Sequence, residues 1–346
     1  MILKTIATLF ILVGLAAHGQ TAEKKPVLAL MTHDSFAVGK DVLDRFEQQQ
    51  GVTLKIIKSG DAGAALNQAI LSRANPLADV FYGVDNTFMS RALKADIFMA
   101  YASPQLTQIP DELKLDPGNR LLPVSYGDVC LNYDRQWFAD KGIMPPRDLD
   151  DLLKPAFKGL TVVQNPATSS PGMAFLLATV GRYGEEGFVN FWQRLRANDA
   201  YIANGWTDAY YGQFTRAKGG TRPIVVSYAS SPPAEVFYSE TKLDDAPTAA
   251  VLGSQTAFRQ IEFVGILKGT RQPEMAARLV DFMLDSRFQK DIPLYMWVFP
   301  ANPTVPLPEV FVKYTRQADN PVMLTPEAIE AGREKWLETR TETVLR

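Results

Sequence analysis

LLPVSYGDVCLNYDRQWF, residues 121–138, decides how the chain is organised. It reads as one β-like segment, longer than the roughly 5–6 residues of an ordinary strand. A strand of that length can carry the chain out of one body of structure and into another. RQIEFVGILKG, residues 259–269, has the same character and can carry it back. The two stretches divide the sequence into a front, a middle and a tail.

The front alternates. PVLALM (26–31), VTLKII (52–57) and ADVFYGV (78–84) read as strands. Between them Val42, Leu43 and Phe46, and then Leu66, Ala69 and Ile70, fall at helical spacing, and a helix is expected near 86–94. Strand–helix alternation implies a parallel sheet with helices on its faces, whose ligands sit beyond the carboxyl ends of the strands. Those ends are His33-Asp34-Ser35, Gly60-Asp61-Ala62-Gly63 and Gly83-Val84-Asp85-Asn86.

The middle repeats the pattern: GLTVV (159–163), a helix after Pro171, an aromatic helix near 190, and RPIVVSYA (222–229). After 269 come a helical stripe of Met275, Leu279, Phe282 and Met283, a Pro-rich loop over 300–308 and a charged C-terminal helix. The expected fold is α/β and two-lobed. Each lobe is a mixed, mainly parallel sheet flanked by helices, and a two-strand hinge of the type II solute-binding kind joins them. Lobe 1 is residues 21–125 plus 265–346, and lobe 2 is residues 126–264. Such molecules close around a ligand by hinge motion.

Residues 1–20 have one basic residue, Lys4, an apolar run from Ile6 to Leu15, and small residues Ala16, Ala17 and Gly19. The run is too short for a hydrocarbon layer roughly 30 Å thick, so it reads as a cleaved signal peptide. No cysteine there offers a lipid attachment point, and the expected compartment is the periplasm. The formal charge is −2, with no basic excess, which argues against nucleic acid. Cys130 is the single cysteine, so no intramolecular disulfide can form. Beyond His18 in the leader, His33 is the single histidine, and no G-x-S-x-G elbow accompanies it. A zinc site or a Ser-His-Asp hydrolase has little to draw on, and no metal, cofactor or catalytic residue is expected.

NPATSSPG (165–172) places Ser170 before Pro171, which suits a helix N-cap. The free N–H groups of that first turn, with the Ser169 and Ser170 hydroxyls, would favour an anion such as phosphate; a plain cap remains the alternative. Asp61 at a helix start could cap it or meet a cationic ligand, and Asp34 and Asp85 share that choice. In NGWTDAYYGQF (204–214), Trp206 stands at a loop–helix junction where its ring could stack on a flat heterocycle or a cation. The adjacent Tyr210-Tyr211 pair invites a ferric ion, but neighbours on a helix do not face the same way. Asp208 reads as a helix-start acid. Tyr228 ends an apolar strand at the cleft edge, and Trp297 precedes the Pro-rich loop.

Several of these stretches together resemble the periplasmic thiamine-binding proteins of bacterial ABC importers, a branch of a solute-binding group that includes ferric-ion binders. They are THDSF (32–36), ADVFYGVDN (78–86), YGDVCLNYD (126–134), NPATSSPG (165–172), NGWTDAY (204–210), VVSYASSP (225–232) and MWVFPAN (296–302). The resemblance implies a monomeric receptor that captures thiamine, and its phosphate esters, between two lobes and delivers it to an inner-membrane permease and its ATPase. It places binding residues at Asp61, Ala62, Ser169, Ser170, Trp206, Tyr228, Ala229, Ser230, Ser231, Pro232 and Trp297. His33 falls where the family carries a tyrosine, Ala234 where an aromatic can flank the ligand, and Lys40 where a tryptophan can. Lys40 could then serve a phosphate tail. A ferric-ion-binding importer component is the alternative.

Overall fold

The computed structural model describes residues 25–345, and the expected signal peptide over 1–20 lies outside them. The front of the chain runs β1 (Val27–Thr32), α1 (Lys40–Gln50), β2 (Thr53–Lys58), α2 (Ala62–Leu71), β3 (Val80–Asp85), α3 (Met89–Lys94) and the short β4 (Phe98–Met99). The long stretch from 121 becomes β5 (Leu122–Asp134), a strand of 13 residues. Its last residues depart from the β reading. Asp134 accepts the Gln136 and Trp137 backbone N–H groups and so starts α4 (Arg135–Lys141).

The middle runs β6 (Thr161–Gln164), α5 (Ser170–Ala197), β7 (Tyr201–Ala203), α6 (Trp206–Asp208), β8 (Ile224–Tyr228), α7 (Pro232–Phe237) and β9 (Thr248–Val251). The two helices expected after Pro171 and near 190 form one run, broken at Gly184, where φ is 71°. Only glycine takes that conformation readily. The chain returns through β10 (Phe258–Leu267), α8 (Pro273–Leu284), β11 (Phe299–Pro300) and a C-terminal helix, Pro326–Leu345.

One continuous ladder has the order β2-β1-β3-β10-β5-β8-β6-β7. β1 pairs parallel with β2 and β3, and β6 pairs parallel with β7 and β8. Between these parallel groups lie β10 and β5, antiparallel to each other and to their outer neighbours. The two long stretches are thus the centre of the sheet, where both faces are covered and nearly every residue is buried. Cys130 is fully buried on β5, and burial pushes its thiol well above the ordinary value.

Two irregularities in β10 matter for the site. Register shifts between Glu262 and Phe263 against β5, and between Phe263 and Val264 against β3. Bulges re-aim side chains, and Glu262 here faces the cavity described below.

Candidate functional site

The carboxyl ends of β1 and β2 meet the α5 and α6 N-termini across a cavity of about 390 Å³, within the size range of small-molecule sites. His33, Asp61, Ala62, Ser170, Trp206, Tyr228, Ser231 and Trp297 all line it, as does Ala234. A more open depression of about 720 Å³ shares Asp34, Asp61, Trp206 and Tyr211 with it and leads outward. The third strand end does not take part. Asp85 is fully buried and accepts hydrogen bonds from Thr87 and Phe88, and the Asn86 amide ties to Arg259 and Ile261. Burial raises the Asp85 pKa to about 7.

Asp61 is the carboxylate on which the two sides converge. It accepts from Ala62 N at 2.7 Å, at the start of its own helix. It also accepts from Trp206 N at 3.0 Å and Ser170 N at 3.4 Å, across the cavity. Beside it, Gly63 N donates to Thr168 O at 3.0 Å. Asp61 thus caps α2 and also lines the cavity. The anion at the first turn of α5 is this side chain.

Ser169, not Ser170, caps α5, its Oγ accepting from Gly172 N at 3.4 Å. The helix starts one residue earlier than expected, so that Ser170 is its first residue and Pro171, whose missing N–H would have no partner in the first turn, its second. Ser170 Oγ is left buried without a hydrogen-bond partner, on the cavity wall. Ser169, Ala229, Ser230 and Pro232 are buried next to lining residues and do not themselves line the cavity. Ala229 N donates to Asp128 O, Ser230 Oγ donates to Trp297 O, and Pro232 is buried at the start of α7. Lys40 is also displaced from its expected role: it is exposed and pairs with Asp44 one helical turn on.

The aromatic wall is built on the junction between β7 and α6. Trp206 stacks on Tyr210 with ring centroids 5.0 Å apart and planes at 20°. Its Nε1 donates to Ser227 Oγ at 2.8 Å, and that hydroxyl meets Ser231 Oγ at 2.8 Å. Tyr210 and Phe214 belong to a small core with Val162 and Val225, against which Trp206 packs. A π turn over Ala209–Gln213 separates Tyr210 from exposed Tyr211. Asp208 accepts from Asn204 N at 3.1 Å, as a helix-start acid should.

Trp297 forms the facing part of the wall, held among Phe237, Tyr238 and Phe311. Its backbone is left-handed, with φ 56°, a conformation that costs a non-glycine residue on the order of 1 kcal/mol or more. Its Nε1 is buried without a partner. Tyr210, Tyr211, Tyr238 and Tyr295 complete the aromatic lining. Tyr238 and Tyr295 had no periodic signal in the sequence.

Glu262 was missed as well, although an acid inside an apolar strand was the visible clue. Its Oε2 accepts from Tyr82 Oη at 2.8 Å and Ser125 Oγ at 2.9 Å, and its Oε1 lies 3.3 Å from His33 Nε2. The His33 contact is an ion-pair approach without hydrogen-bond alignment, and Nε2 has no other partner. Gly83 makes room for that imidazole, since a Cβ there would stand 2.5 Å from His33 Cδ2. Burial alone would lower the His33 pKa, but Glu262, Asp61 and Asp34 together raise it above 6.5. Burial would likewise raise Glu262, but His33, Tyr82 and Ser125 hold it below 4.5. Buried charge here is paired, as its desolvation cost demands.

The cavity thus combines stacked aromatic rings with three carboxylates, Asp34, Asp61 and Glu262, and one imidazole. Among the described residues, no lysine or arginine lines it or the outer depression, and no group of three or more His, Cys, Asp or Glu is placed to hold a metal. No described helix is long and apolar enough to cross a membrane.

Comparison with known proteins agrees with this architecture. A thiamine-binding periplasmic protein of Salmonella typhimurium is 30% identical over 327 residues, which cover 93% of this chain and 94% of that one. A solved periplasmic thiamin binding protein superposes with a TM-score of 0.82 at 27% identity, covering 96% of this chain and 100% of the other. Iron-bound HitA from Pseudomonas aeruginosa superposes with a TM-score of 0.74 at 18% identity, covering 92% and 99%, a likeness of fold alone. The model of the bacterial extracellular solute-binding proteins matches residues 75–319. With the family model spanning both long central strands and most of the cavity wall, the chain belongs to the bacterial extracellular solute-binding protein family.

Proposed function

We propose that this protein is the periplasmic solute-binding component of an ABC importer, and that it captures thiamine in the cavity and delivers it to a membrane permease. One observation carries the reading: stacked aromatic rings enclose a cavity whose charged groups are three carboxylates and one imidazole. Thiamine offers a flat aminopyrimidine, a permanent thiazolium cation and an alcohol tail. Trp206 and Trp297 suit the rings, and a cation over an aromatic face gains roughly 0.5–2 kcal/mol. Glu262 and Asp61 suit the amine and the cation. The full-length relationship to proteins named for thiamine supports the same ligand.

The rest of the proposal follows the family's mode of action. The receptor works as a monomer after loss of residues 1–20, without a lipid anchor, and hands its ligand to the permease and its ATPase. Residues 21–125 with 265–346, and residues 126–264, act as lobes that open about β5 and β10. The protein binds and releases without chemistry, and takes no cofactor and no nucleic acid.

Ferric binding is the weaker reading. Tyr210 Oη donates to Glu235 at 2.8 Å, and burial with that carboxylate pushes its pKa well above the ordinary value. A phenol held protonated is a poor ligand for a hard cation. Titration of the purified protein with thiamine and with Fe(III) separates the two. Saturable thiamine binding at micromolar concentration or below is expected, and its absence sinks the thiamine assignment.

A further inference from the structure

Resting on the thiamine reading, we infer that ligand capture is coupled to proton release at His33: the bound cation takes over from the His33 proton as the positive partner of Glu262, so binding tightens as pH rises. His33 and Glu262 both line the cavity, with side chains 12% and 11% exposed and Nε2 3.3 Å from Oε1. Glu262 Oε2 is filled by Tyr82 and Ser125, while Oε1 is the oxygen turned to His33. His33 Nε2 has no aligned hydrogen-bond partner. The pair is therefore held by charge, and a charge can be exchanged for another.

In the ligand-free protein the surroundings favour the imidazolium. Burial opposes its charge, but Glu262 on β10, Asp61 at the start of α2 and Asp34 beside it outweigh burial. Tyr82 on β3 lies 5.6 Å away between ring centroids, and Tyr228 of β8 lines the same cavity. Burial pushes both phenols well above the ordinary value, so neither titrates near neutral pH. Lys58, exposed, donates to Asp34 O and does not line the cavity. Asp85, opposite Glu262 in the β3–β10 ladder, also titrates near neutrality, at about 7.

A second positive charge changes this balance. The thiazolium of thiamine is permanent, and a cavity of about 390 Å³ keeps a bound cation close to its wall. Like charge disfavours the imidazolium, whose proton then passes to solvent. Glu262 is not left bare, because the cation or amine of the ligand supplies the charge that the imidazolium gave up. Counted over the lining, three carboxylates against one imidazolium leave −2, and against a neutral imidazole −3, a deeper well for a cation. Each pKa unit by which the ligand lowers His33 corresponds to about a tenfold gain in affinity from the acid to the alkaline side of the titration. Capture is then tightest at neutral pH and falls off as the surroundings acidify.

With residues 1–20 removed, His33 is the sole histidine of the chain, so NMR on protein carrying isotope-labelled histidine reads its titration directly. The pKa is expected above 6.5 in the free protein, and at least about one unit lower with thiamine bound. The thiamine dissociation constant should fall about fivefold or more between about pH 6 and 8, and calorimetry in buffers of different ionisation heat should show net proton release. In His33→Gln the affinity should be flat over that range. A His33 pKa that thiamine leaves unmoved, or raises, overturns this inference and leaves the thiamine reading intact. Proton release that persists undiminished in His33→Gln assigns the exchange to Asp85 and overturns the role of His33. If that variant does not fold, the wild-type NMR titration decides alone. Absence of saturable thiamine binding at every pH overturns the thiamine reading itself, and the inference with it.

Discussion

Trp206 and Trp297 face the same cavity and are held there by opposite means. Trp206 is satisfied by the protein: its indole donates to Ser227, its ring stacks on Tyr210, and its backbone N–H rests on Asp61. Trp297 is held in a left-handed backbone among three other rings, with a buried indole N–H that has no partner. Groups satisfied before a ligand arrives set shape at little cost on binding, while groups left waiting gain a partner only when it comes. The polar floor repeats the contrast. Glu262 accepts from Tyr82 and Ser125, while His33 Nε2 has only an unaligned approach to it.

The largest effect should come from the preset ring. Trp206→Ala removes a stacking platform and should weaken thiamine by roughly 2 kcal/mol or more, about thirtyfold. A variant that binds like the wild type would take Trp206 out of the site. Next is His33→Gln, read as a folding midpoint against pH. The His33 pKa is raised, so its contribution is whole below 6.5 and fades as pH climbs through the folded value. Glu262 is depressed, so its contribution is whole above 4.5 and fades as pH falls through the folded value. The variant should therefore be less stable by about 1.5–3 kcal/mol between those limits, and the gap should close toward alkaline pH. A gap independent of pH would mean that packing, not charge, holds His33.

Ser227→Ala leaves the Trp206 N–H without its partner and should cost about 1–2 kcal/mol, shared between stability and affinity. Trp297→Phe keeps a ring but removes the waiting donor. It should weaken thiamine by about 1 kcal/mol, roughly fivefold, with the folding midpoint unchanged. If the midpoint drops and affinity holds, the contrast between the two tryptophans fails. Lys40→Ala, outside the cavity, should leave all thiamine affinities as they were.

The sequence carried the architecture because the fold rests on local signals. The two stretches at 121 and 259 read as β-like beyond ordinary strand length, and they are the central strands. Strand ends rich in Asp and Gly pointed to the binding edge, and His33 to Ser35 and Asp61 line the cavity. They failed at Asp85, because a carboxylate that captures three nearby donors looks the same in sequence as one that faces a ligand. Glu262 was hidden because its orientation depends on a register shift between strands far apart in the chain. Ser169 and Ser170 were exchanged because Pro is accepted at either of the first two helical positions, so the sequence left the helix start open by one residue. Ser230 and Ala229 follow Tyr228 in sequence, yet they are engaged with Trp297 O and Asp128 O and do not line the cavity.

The central claim is that this cavity binds thiamine between its two tryptophans. Tryptophan fluorescence during titration with thiamine, with Fe(III) titrated in parallel, tests it most directly. The expected result is a saturable change with thiamine at micromolar concentration or below, lost in Trp206→Ala, and no saturable response to Fe(III). A saturable response to Fe(III) with none to thiamine would contradict it.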